Sequence, residues 1–230
     1  MTENLKQKAA ERAVESVESG MIVGLGHGST AIWAVRKIGQ LIQNGTLKNL
    51  LGVPCSIMIE NEARALGIPL TTLEENPVVD LTIDGADEVD PNLELIKGGG
   101  GALMREKIVA QASRREIIVV DESKYVPALG TTWAVPVEVI PFGYGSQAEY
   151  LKSLGADVKI RQTADGQPFK TDQGNLILDC KFGPIADPAG LGDQLKRRTG
   201  IVEHGLFVGL ATQVIIASAD GIREIKRSSS

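Results

Sequence analysis

The stretch Met21-Ile-Val-Gly-Leu-Gly-His-Gly-Ser-Thr30 decides the fold class of this chain. Residues 21–25 are short and apolar, as in a buried strand, and residues 29–43 have the pattern of a helix. The glycine-rich turn between them predicts a strand that passes directly into a helix. This is the repeating unit of folds in which parallel strands are joined by crossover helices.

The residues on both sides of this unit continue the same alternation. Helices are predicted over residues 3–19, 57–66 and 104–113. Strands are predicted for the short β-branched runs at residues 51–55, 69–73, 78–84 and 117–120. Together these elements predict an α/β fold with a Rossmann-like, doubly wound and mostly parallel sheet.

The pattern changes after about residue 130. Strands are predicted over residues 136–140, 157–161, 176–180 and 201–204, and helices over residues 146–154 and 191–199. This β-α-β-β-α-β order predicts an inserted ferredoxin-like α+β domain at residues 131–205. Residues 1–130 and 206–230 would form the Rossmann-like catalytic domain. We expect residues 206–217 to return to the first sheet and residues 223–230 to be a frayed polar tail.

Composition limits the class of protein. The chain has 230 residues, 43% of them hydrophobic, and a mean hydropathy near zero, as expected for a soluble globular protein. The net charge of −5 argues against a nucleic-acid partner. No apolar run has the length of a membrane span, and the charged N-terminus is unlike a secretory signal. Cys55 and Cys180 form no CxxC pair, which favours free thiols in the cytoplasm.

The first candidate site segment is Gly24-Leu-Gly-His-Gly-Ser-Thr30. Its glycines allow the backbone to approach a ligand, and Ser29 and Thr30 place hydroxyls at a helix N-terminus, where a phosphate is favoured. The alternative is a tight turn in which Ser29 is a plain N-cap. A dinucleotide fingerprint is not met, because Ser29 occupies the third glycine position and no acidic residue follows at the expected spacing.

The second segment, Asp84-Gly-Ala-Asp-Glu-Val-Asp90, places four acids just after a predicted buried strand. The EF-hand pattern is absent, although a magnesium carboxylate pair is conceivable. A second interpretation is that Asp84 and Asp87 bind sugar hydroxyls or move protons during ring opening. A solvated acidic turn is the third.

Two further segments carry lysines. Lys97-Gly-Gly-Gly-Gly101 leads into the helix that contains Glu106, and it is not a Walker A loop because its lysine precedes the glycines. Lys97 would place a positive charge near a reacting oxygen, and Glu106 is a candidate general base, although most glutamates on helices are solvated. Lys124, in Asp121-Glu-Ser-Lys124, could neutralise a phosphate or belong to an ordinary turn.

In this order and spacing, the four segments resemble ribose-5-phosphate isomerase, type A. The matching stretches are GLGHGSTA at 24–31, DGADEVD at 84–90, KGGGGALMREKIVA at 97–110 and DESK at 121–124, and FKTDQGN at 169–175 is similar to a signature of the family. The resemblance implies interconversion of ribose 5-phosphate and ribulose 5-phosphate through an enediolate, with no metal and no cofactor, in the non-oxidative pentose phosphate pathway.

The resemblance also implies roles for individual residues. Glu106 would shuttle a proton between C1 and C2, and Lys97 would stabilise the developing oxyanion. Asp84 and Asp87 would assist ring opening and hold hydroxyls, while Ser29, Thr30 and Lys124 would bind the phosphate. The implied substrate-binding residues are His27, Gly28, Ser29, Thr30, Asp84, Gly85, Ala86, Asp87, Lys97, Gly98, Gly99, Gly100 and Lys124. Lys6 falls where the family can supply another phosphate-side lysine.

His27 departs from the family, which commonly has threonine at this position. Its backbone N–H can still contact phosphate, although any hydroxyl contact is lost, and its imidazole could add a pH-dependent interaction. A tolerated substitution in the phosphate loop is the simpler interpretation.

Two other classes of protein share parts of this pattern. A sugar-phosphate-sensing domain would use a similar loop but would bring a DNA-binding module, which the acidic balance does not favour. A CoA transferase could use a glutamate as a nucleophile, but it would need a larger groove than this chain suggests. The resemblance favours a homodimer or homotetramer.

Overall fold

The computed structural model describes residues 2–227, which divide into two compact units. Within these residues, unit 1 comprises residues 2–86, 105–125 and 209–227, and unit 2 comprises Asp87–Met104 and Val126–Val208. This division differs from the expected boundaries, residues 1–130 with 206–230 against residues 131–205. The difference arises because residues 88–96 form two short strands that pair within unit 2.

The elements follow each other in the alternating order that the sequence predicts. The strands are β1 (Ile22–Leu25), β2 (Leu51–Pro54), β3 (Leu81–Asp84), β4 (Glu88–Val89), β5 (Leu95–Ile96), β6 (Glu116–Asp121), β7 (Val135–Val139), β8 (Asp157–Ile160), β9 (Leu176–Lys181), β10 (Ile201–His204), β11 (Leu206–Phe207), β12 (Gln213–Ser218) and β13 (Gly221–Lys226). The helices are α1 (Thr2–Val14), α2 (Ala31–Gln43), α3 (Ile57–Ala65), α4 (Leu103–Ala112), α5 (Tyr144–Ser153) and α6 (Pro188–Lys196), with a short 3-10 turn at Glu122–Lys124.

Unit 1 is built on a six-stranded sheet in the order β13-β12-β6-β3-β1-β2. The five strands from β12 to β2 are parallel, and β13 adds an antiparallel edge. The doubly wound, mostly parallel sheet that the sequence predicts is therefore confirmed. The chain order reverses between β1 and β3, and such a switch point is where open α/β sheets bind ligands, beyond the carboxyl ends of the strands.

Apolar side chains cover both faces of this sheet. On one face, α1, α2 and α3 pack over Val23 and Leu25 of β1. The buried residues of α2 recur with helical spacing, as one amphipathic face requires; they are Ala31, Ala34, Val35, Ile38 and Gly39. On the other face, Val109 of α4 packs with Val53 and Val79. Because both faces are buried, the central strands read as mostly apolar runs, such as Ile117–Val120 of β6, rather than alternating.

Unit 2 contains a four-stranded antiparallel sheet in the order β10-β7-β9-β8. Its chain order is β7-α5-β8-β9-α6-β10, the β-α-β-β-α-β sequence expected for this region. The core between sheet and helices includes Val137, Leu151, Leu178 and Leu195. A second sheet, β11-β5-β4, is antiparallel and short.

Two carboxylates are wholly buried in unit 2. Glu88 accepts hydrogen bonds on both oxygens from Gly130, Thr132 and Trp133. Glu138 on β7 accepts bonds from Thr171 Oγ1 at 2.8 Å and Asn175 Nδ2 at 2.9 Å, both on Oε1. Burial is the main cause that raises the pKa of Glu138 above its ordinary value, since the charged form loses its hydration.

Two local expectations are wrong, and two short strands were not predicted. Residues 69–73 form no strand, because only Leu70 makes a β-bridge, to Gly52. Residues 223–226 are not frayed, because they belong to β13, which hydrogen-bonds along the whole of β12; residues 228–230 lie outside the described part. β4 and β5 escaped prediction because two-residue strands carry no periodic signal.

Over residues 2–227, no helix is both long enough and apolar enough to cross a membrane.

Candidate active site

The glycine loop after β1 is tied to the end of β3, which is the neighbouring strand. Gly26 N donates to Ile83 O at 3.0 Å, and His27 N donates to Asp84 Oδ1 at 2.9 Å. Gly85 N donates to the same Asp84 oxygen at 2.7 Å. A Cβ at Gly26 would lie 2.3 Å from Ile83 O, so only glycine permits this approach. Asp84 is 1% exposed and organises both loops at the switch point.

Ser29 and Thr30 lie at the start of α2. Ser29 Oγ accepts a hydrogen bond from Lys6 Nζ at 2.8 Å, which brings the ammonium of α1 to the loop. The N-cap of α2 is Thr30 rather than Ser29, and the Thr30 side chain makes no capping hydrogen bond. The interpretation of Ser29 as a plain N-cap is therefore wrong. Lys6, which the resemblance suggested as a phosphate-side lysine, lies beside Ser29.

His27 has a different environment from the expected one. Its backbone N–H is donated to Asp84 Oδ1, and the contact of this N–H with phosphate stays a prediction. Its Nδ1 lies 2.8 Å from Ser56 Oγ, which also accepts the Ile59 N–H as the N-cap of α3. The imidazole therefore joins the glycine loop to the start of α3.

Glu106 and Lys124 are the other candidate residues of unit 1. Glu106 lies in the first turn of α4 and is 3% exposed, so it is not one of the solvated glutamates that are usual on helices. Lys124 ends the short turn that follows β6, and Asp121 caps this turn by accepting from Ser123 N at 3.0 Å. Because β6 is adjacent to β3, Lys124 follows the same carboxyl edge of the sheet as Ser29 and Asp84.

The remaining candidates lie in unit 2, on the loop that follows β5. Lys97 is 2% exposed, its backbone N donates to Gly205 O at 2.9 Å, and its Nζ lies 5.4 Å from the centre of the Phe207 ring. Gly99 N donates to Asp87 Oδ2 at 2.7 Å. A Cβ at Gly99 would lie 2.5 Å from Asp87 Oδ1, which explains why the loop needs bare backbone at this point.

The acidic segment 84–90 is not a solvated turn. Its members Asp84, Glu88 and Asp90 are all buried. Asp90 Oδ1 accepts the N–H groups of Asn92 and Glu94 at 2.9 and 2.8 Å. Each of these carboxylates fixes backbone amides. Within the residues that the structure covers, no group of three or more His, Cys, Asp or Glu side chains is placed to hold a metal ion.

The predicted site residues are therefore divided between the units. Unit 1 carries His27, Gly28, Ser29, Thr30, Asp84, Gly85, Ala86, Glu106 and Lys124, and unit 2 carries Asp87, Lys97, Gly98, Gly99 and Gly100. Sequence reasoning missed Arg161, whose guanidinium hydrogen-bonds the carbonyls of the glycine loop in unit 2. No local pattern identifies Arg161, because its partners lie more than 60 residues away along the chain.

Comparison with known proteins agrees with these assignments of fold and motifs. The profile of the family described as ribose 5-phosphate isomerase A (phosphoriboisomerase A) matches residues 51–221. The chain is 58% identical to ribose-5-phosphate isomerase A of Chloroflexus aurantiacus over 227 residues, which cover 99% of this chain and 95% of that protein. It is 57% identical to the protein of the same name from Desulfatibacillum aliphaticivorans, covering 96% of each.

Solved structures give the same result. Ribose 5-phosphate isomerase from Plasmodium falciparum matches with a TM-score of 0.95 at 43% identity, covering 99% of this chain and 100% of that one. A D-ribose-5-phosphate isomerase in complex with phospho-erythronic acid matches with a TM-score of 0.97 at 36% identity, covering 99% and 100%. Fold, motifs and relatives together define an α/β sugar-phosphate isomerase. The chain belongs to the ribose-5-phosphate isomerase A family.

Proposed function

We propose that this protein interconverts D-ribose 5-phosphate and D-ribulose 5-phosphate through an enediolate, by general acid/base catalysis that needs no metal. The proposed place of the reaction is the non-oxidative pentose phosphate pathway. The observation that carries the proposal is the burial of Glu106 on a helix that continues directly from Lys97 and its glycine loop. Glutamate and lysine are rarely buried without a structural or functional role, because burial of a charged group costs free energy.

Phosphate binding is assigned to Ser29, Thr30 and Lys124, together with Lys6. The hydrogen bond between Lys6 Nζ and Ser29 Oγ supports this assignment, since it places an ammonium and a hydroxyl side by side at the glycine loop. Both groups donate to anions, and the N-terminus of α2 adds the favourable end of its dipole.

Glu106 is assigned as the base. Its carboxylate takes the proton from C2 of the open-chain aldose, and the C2–H electron pair forms the C1–C2 double bond while O1 takes up the carbonyl pair. The protonated carboxyl then returns the proton to C1, and the proton of the C2 hydroxyl passes to O1, which completes the ketose. Lys97 stabilises the charge on O1, and a buried ammonium is more effective in this role than a solvated one.

Asp84 and Asp87 are assigned to ring opening and to holding the sugar hydroxyls. Each carboxylate also accepts backbone amides, Asp84 from His27 and Gly85 and Asp87 from Gly99. These bonds orient the two carboxylates before the substrate arrives, which reduces the entropy lost in binding.

The test is turnover of ribose 5-phosphate by chelator-treated protein, with Glu106→Gln in parallel. We expect the parent to form ketose at an unchanged rate after chelation. Glu106→Gln should lower kcat by roughly 10²–10⁴-fold, since general-base catalysis contributes about that much. Glu60→Gln is the matched control, because Glu60 is a helical glutamate that pairs with Arg64 on α3.

Each contrary result has a definite meaning. A folded parent without turnover would overturn the isomerase function. Activity lost on chelation and restored by a divalent cation would assign Asp84 and Asp87 to a metal instead. Phospho-erythronic acid, which is bound in one related isomerase, should compete with ribose 5-phosphate, because its carboxylate carries charge on two oxygens as an enediolate does.

We further propose that the protein works in the cytoplasm as a homodimer or homotetramer. The support is the family resemblance, and sedimentation of the purified protein tests the assembly. A monomer at micromolar concentration would overturn this part alone.

A further inference from the structure

The backbone of the glycine loop in unit 2 is held by side chains from other segments. Arg161 Nη1 donates to Gly98 O at 2.7 Å and to Gly99 O at 3.1 Å. The N–H of Gly99 is in turn donated to Asp87 Oδ2 at 2.7 Å. The peptide group between Gly98 and Gly99 is therefore bonded at its carbonyl and at its N–H by different side chains.

Arg161 is itself held in place. Its Nε donates to Asp179 Oδ2 at 3.0 Å, and its Nη2 forms an ion pair with Asp179 Oδ1. The side chains of Arg161 and Asp179 are 14% and 28% exposed. The backbone of Arg161 is also fixed, because its N donates to Ile177 O at 2.8 Å and its O accepts Phe169 N at 2.9 Å. A planar guanidinium with both edges engaged has little freedom to turn.

A run of four glycines does not hold one conformation by its own preferences. The order of the loop must come from its neighbours, and the position of Lys97 depends on that order because Lys97 directly precedes the loop. We propose that Arg161, oriented by Asp179, is a positioning residue for the isomerase reaction, acting on the Gly98–Gly99 peptide and through it on Lys97. This inference rests on the role of Lys97 in the proposed function.

The kinetic test combines Arg161→Met with Lys97→Met. Displacement of a catalytic group by about 1 Å can reduce the rate about 10²-fold, so we expect Arg161→Met to lower kcat by roughly 10²-fold. The KM for ribose 5-phosphate should change less than kcat does, because phosphate binding is assigned to unit 1. In the Lys97→Met background, Arg161→Met should lower the remaining rate by less than about 3-fold, since residues that act as a unit are not additive.

Arg198→Met is the matched control. Arg198 is also an arginine of unit 2 with side-chain hydrogen bonds, to Gln147 Oε1 and Ser146 Oγ at 3.1 Å each, and it lies 4.9 Å from the Tyr150 ring. Within residues 2–227, its hydrogen bonds do not involve the glycine loop, and we expect kcat within about 2-fold of the parent. Equal losses from Arg161→Met with and without Lys97, or an equal loss from Arg198→Met, would overturn the proposal.

A second readout does not depend on activity. Amide hydrogen exchange should accelerate at least about 10-fold in residues 97–101 of Arg161→Met, while α5 stays unchanged. Unchanged exchange in residues 97–101 would overturn the proposal even if the parent is an active isomerase. An inactive parent would instead overturn the proposed function, and the positioning role of Arg161 in the reaction would be overturned with it, whatever the exchange shows.

Asp179→Asn gives the same test in a milder form. Asparagine keeps the shape of the side chain but weakens the orientation of Arg161. We therefore expect kcat to fall by about 10-fold and amide exchange in residues 97–101 to accelerate. If Arg161→Met does not fold, Asp179→Asn replaces it as the test. A kcat and an amide exchange rate of Asp179→Asn that both equal those of the parent would overturn the proposal.

Discussion

Replacement of Glu88 by glutamine keeps the side-chain volume and removes one acceptor oxygen from a side chain that is 0% exposed. Glu88 Oε1 accepts Thr132 N at 2.5 Å, Thr132 Oγ1 at 2.7 Å and Trp133 N at 2.7 Å. Oε2 accepts Gly130 N at 2.6 Å. A glutamine has one acceptor oxygen, which would take the position with three donors. Its NH₂ group would then face the Gly130 N–H.

The magnitude follows from these bonds. One hydrogen bond to a charged group is lost, which is about 1.5–3 kcal/mol, and a buried donor is left unsatisfied, which costs about 1–3 kcal/mol. We expect Glu88→Gln to lower the free energy of unfolding by roughly 3–5 kcal/mol. For a chain of 230 residues, 1 kcal/mol corresponds to roughly 2–4 °C in Tm, so the expected decrease is about 6–20 °C.

The assay is urea and thermal unfolding, followed by circular dichroism and by tryptophan fluorescence. Glu149→Gln is the matched control in the same unit, because Glu149 is exposed and pairs with Lys152 on α5. Its effect should stay below about 0.5 kcal/mol. A loss of less than about 1 kcal/mol in Glu88→Gln would refute the reasoning, since it would mean that the Gly130 N–H finds another acceptor at little cost.

Three further outcomes are expected. His27→Thr removes the hydrogen bond between the imidazole and Ser56 but keeps the backbone hydrogen bond to Asp84. We therefore expect kcat/KM to stay within about 3-fold of the parent and the free energy of unfolding to fall by about 0.5–1.5 kcal/mol. A 100-fold loss of kcat/KM would contradict this expectation. The raised pKa of Glu138 means that the folded state binds this proton more tightly than the unfolded state, so its contribution is fully present below about pH 4.5 and is lost as the pH rises through the folded pKa. The Tm of Glu138→Gln minus the Tm of the parent should therefore increase between pH 4 and pH 8. A difference in Tm that stays constant over this range would contradict the raised pKa of Glu138. Burial raises the pKa of Cys180, so iodoacetamide should label this thiol about 100-fold more slowly in native protein than in guanidinium, and equal rates would contradict its burial.

The fold was largely predictable because its strands and helices differ in local periodicity. The run 21–30 predicts a strand, a glycine turn and a helix, and β1 and α2 follow that prediction within two residues at each end. The edge strand β13 was not predictable in the same way. Its residues are mostly exposed and polar, and it is a strand because β12 offers it a hydrogen-bonding edge.

The candidate site was predictable as a set of residue types and not as a set of contacts. Glycines, hydroxyls and lysines beside strand ends suggest a phosphate site whatever their partners are. The burial of Glu106 could not be read from a helix segment in which Arg105 and Lys107 are its neighbours. It depends on which face of α4 is covered, and that is a property of the folded chain.

By itself, the sequence determined the parallel sheet of unit 1, the β-α-β-β-α-β order within unit 2 and the chemical character of four loops. Only the tertiary structure decided that the His27 amide is donated to Asp84, that Lys6 reaches Ser29 and that Arg161 holds the glycine loop. The physical reason is distance along the chain. Secondary structure depends on neighbours a few residues apart, whereas these bonds join residues separated by 23 to 63 positions and form only when packing brings their segments together.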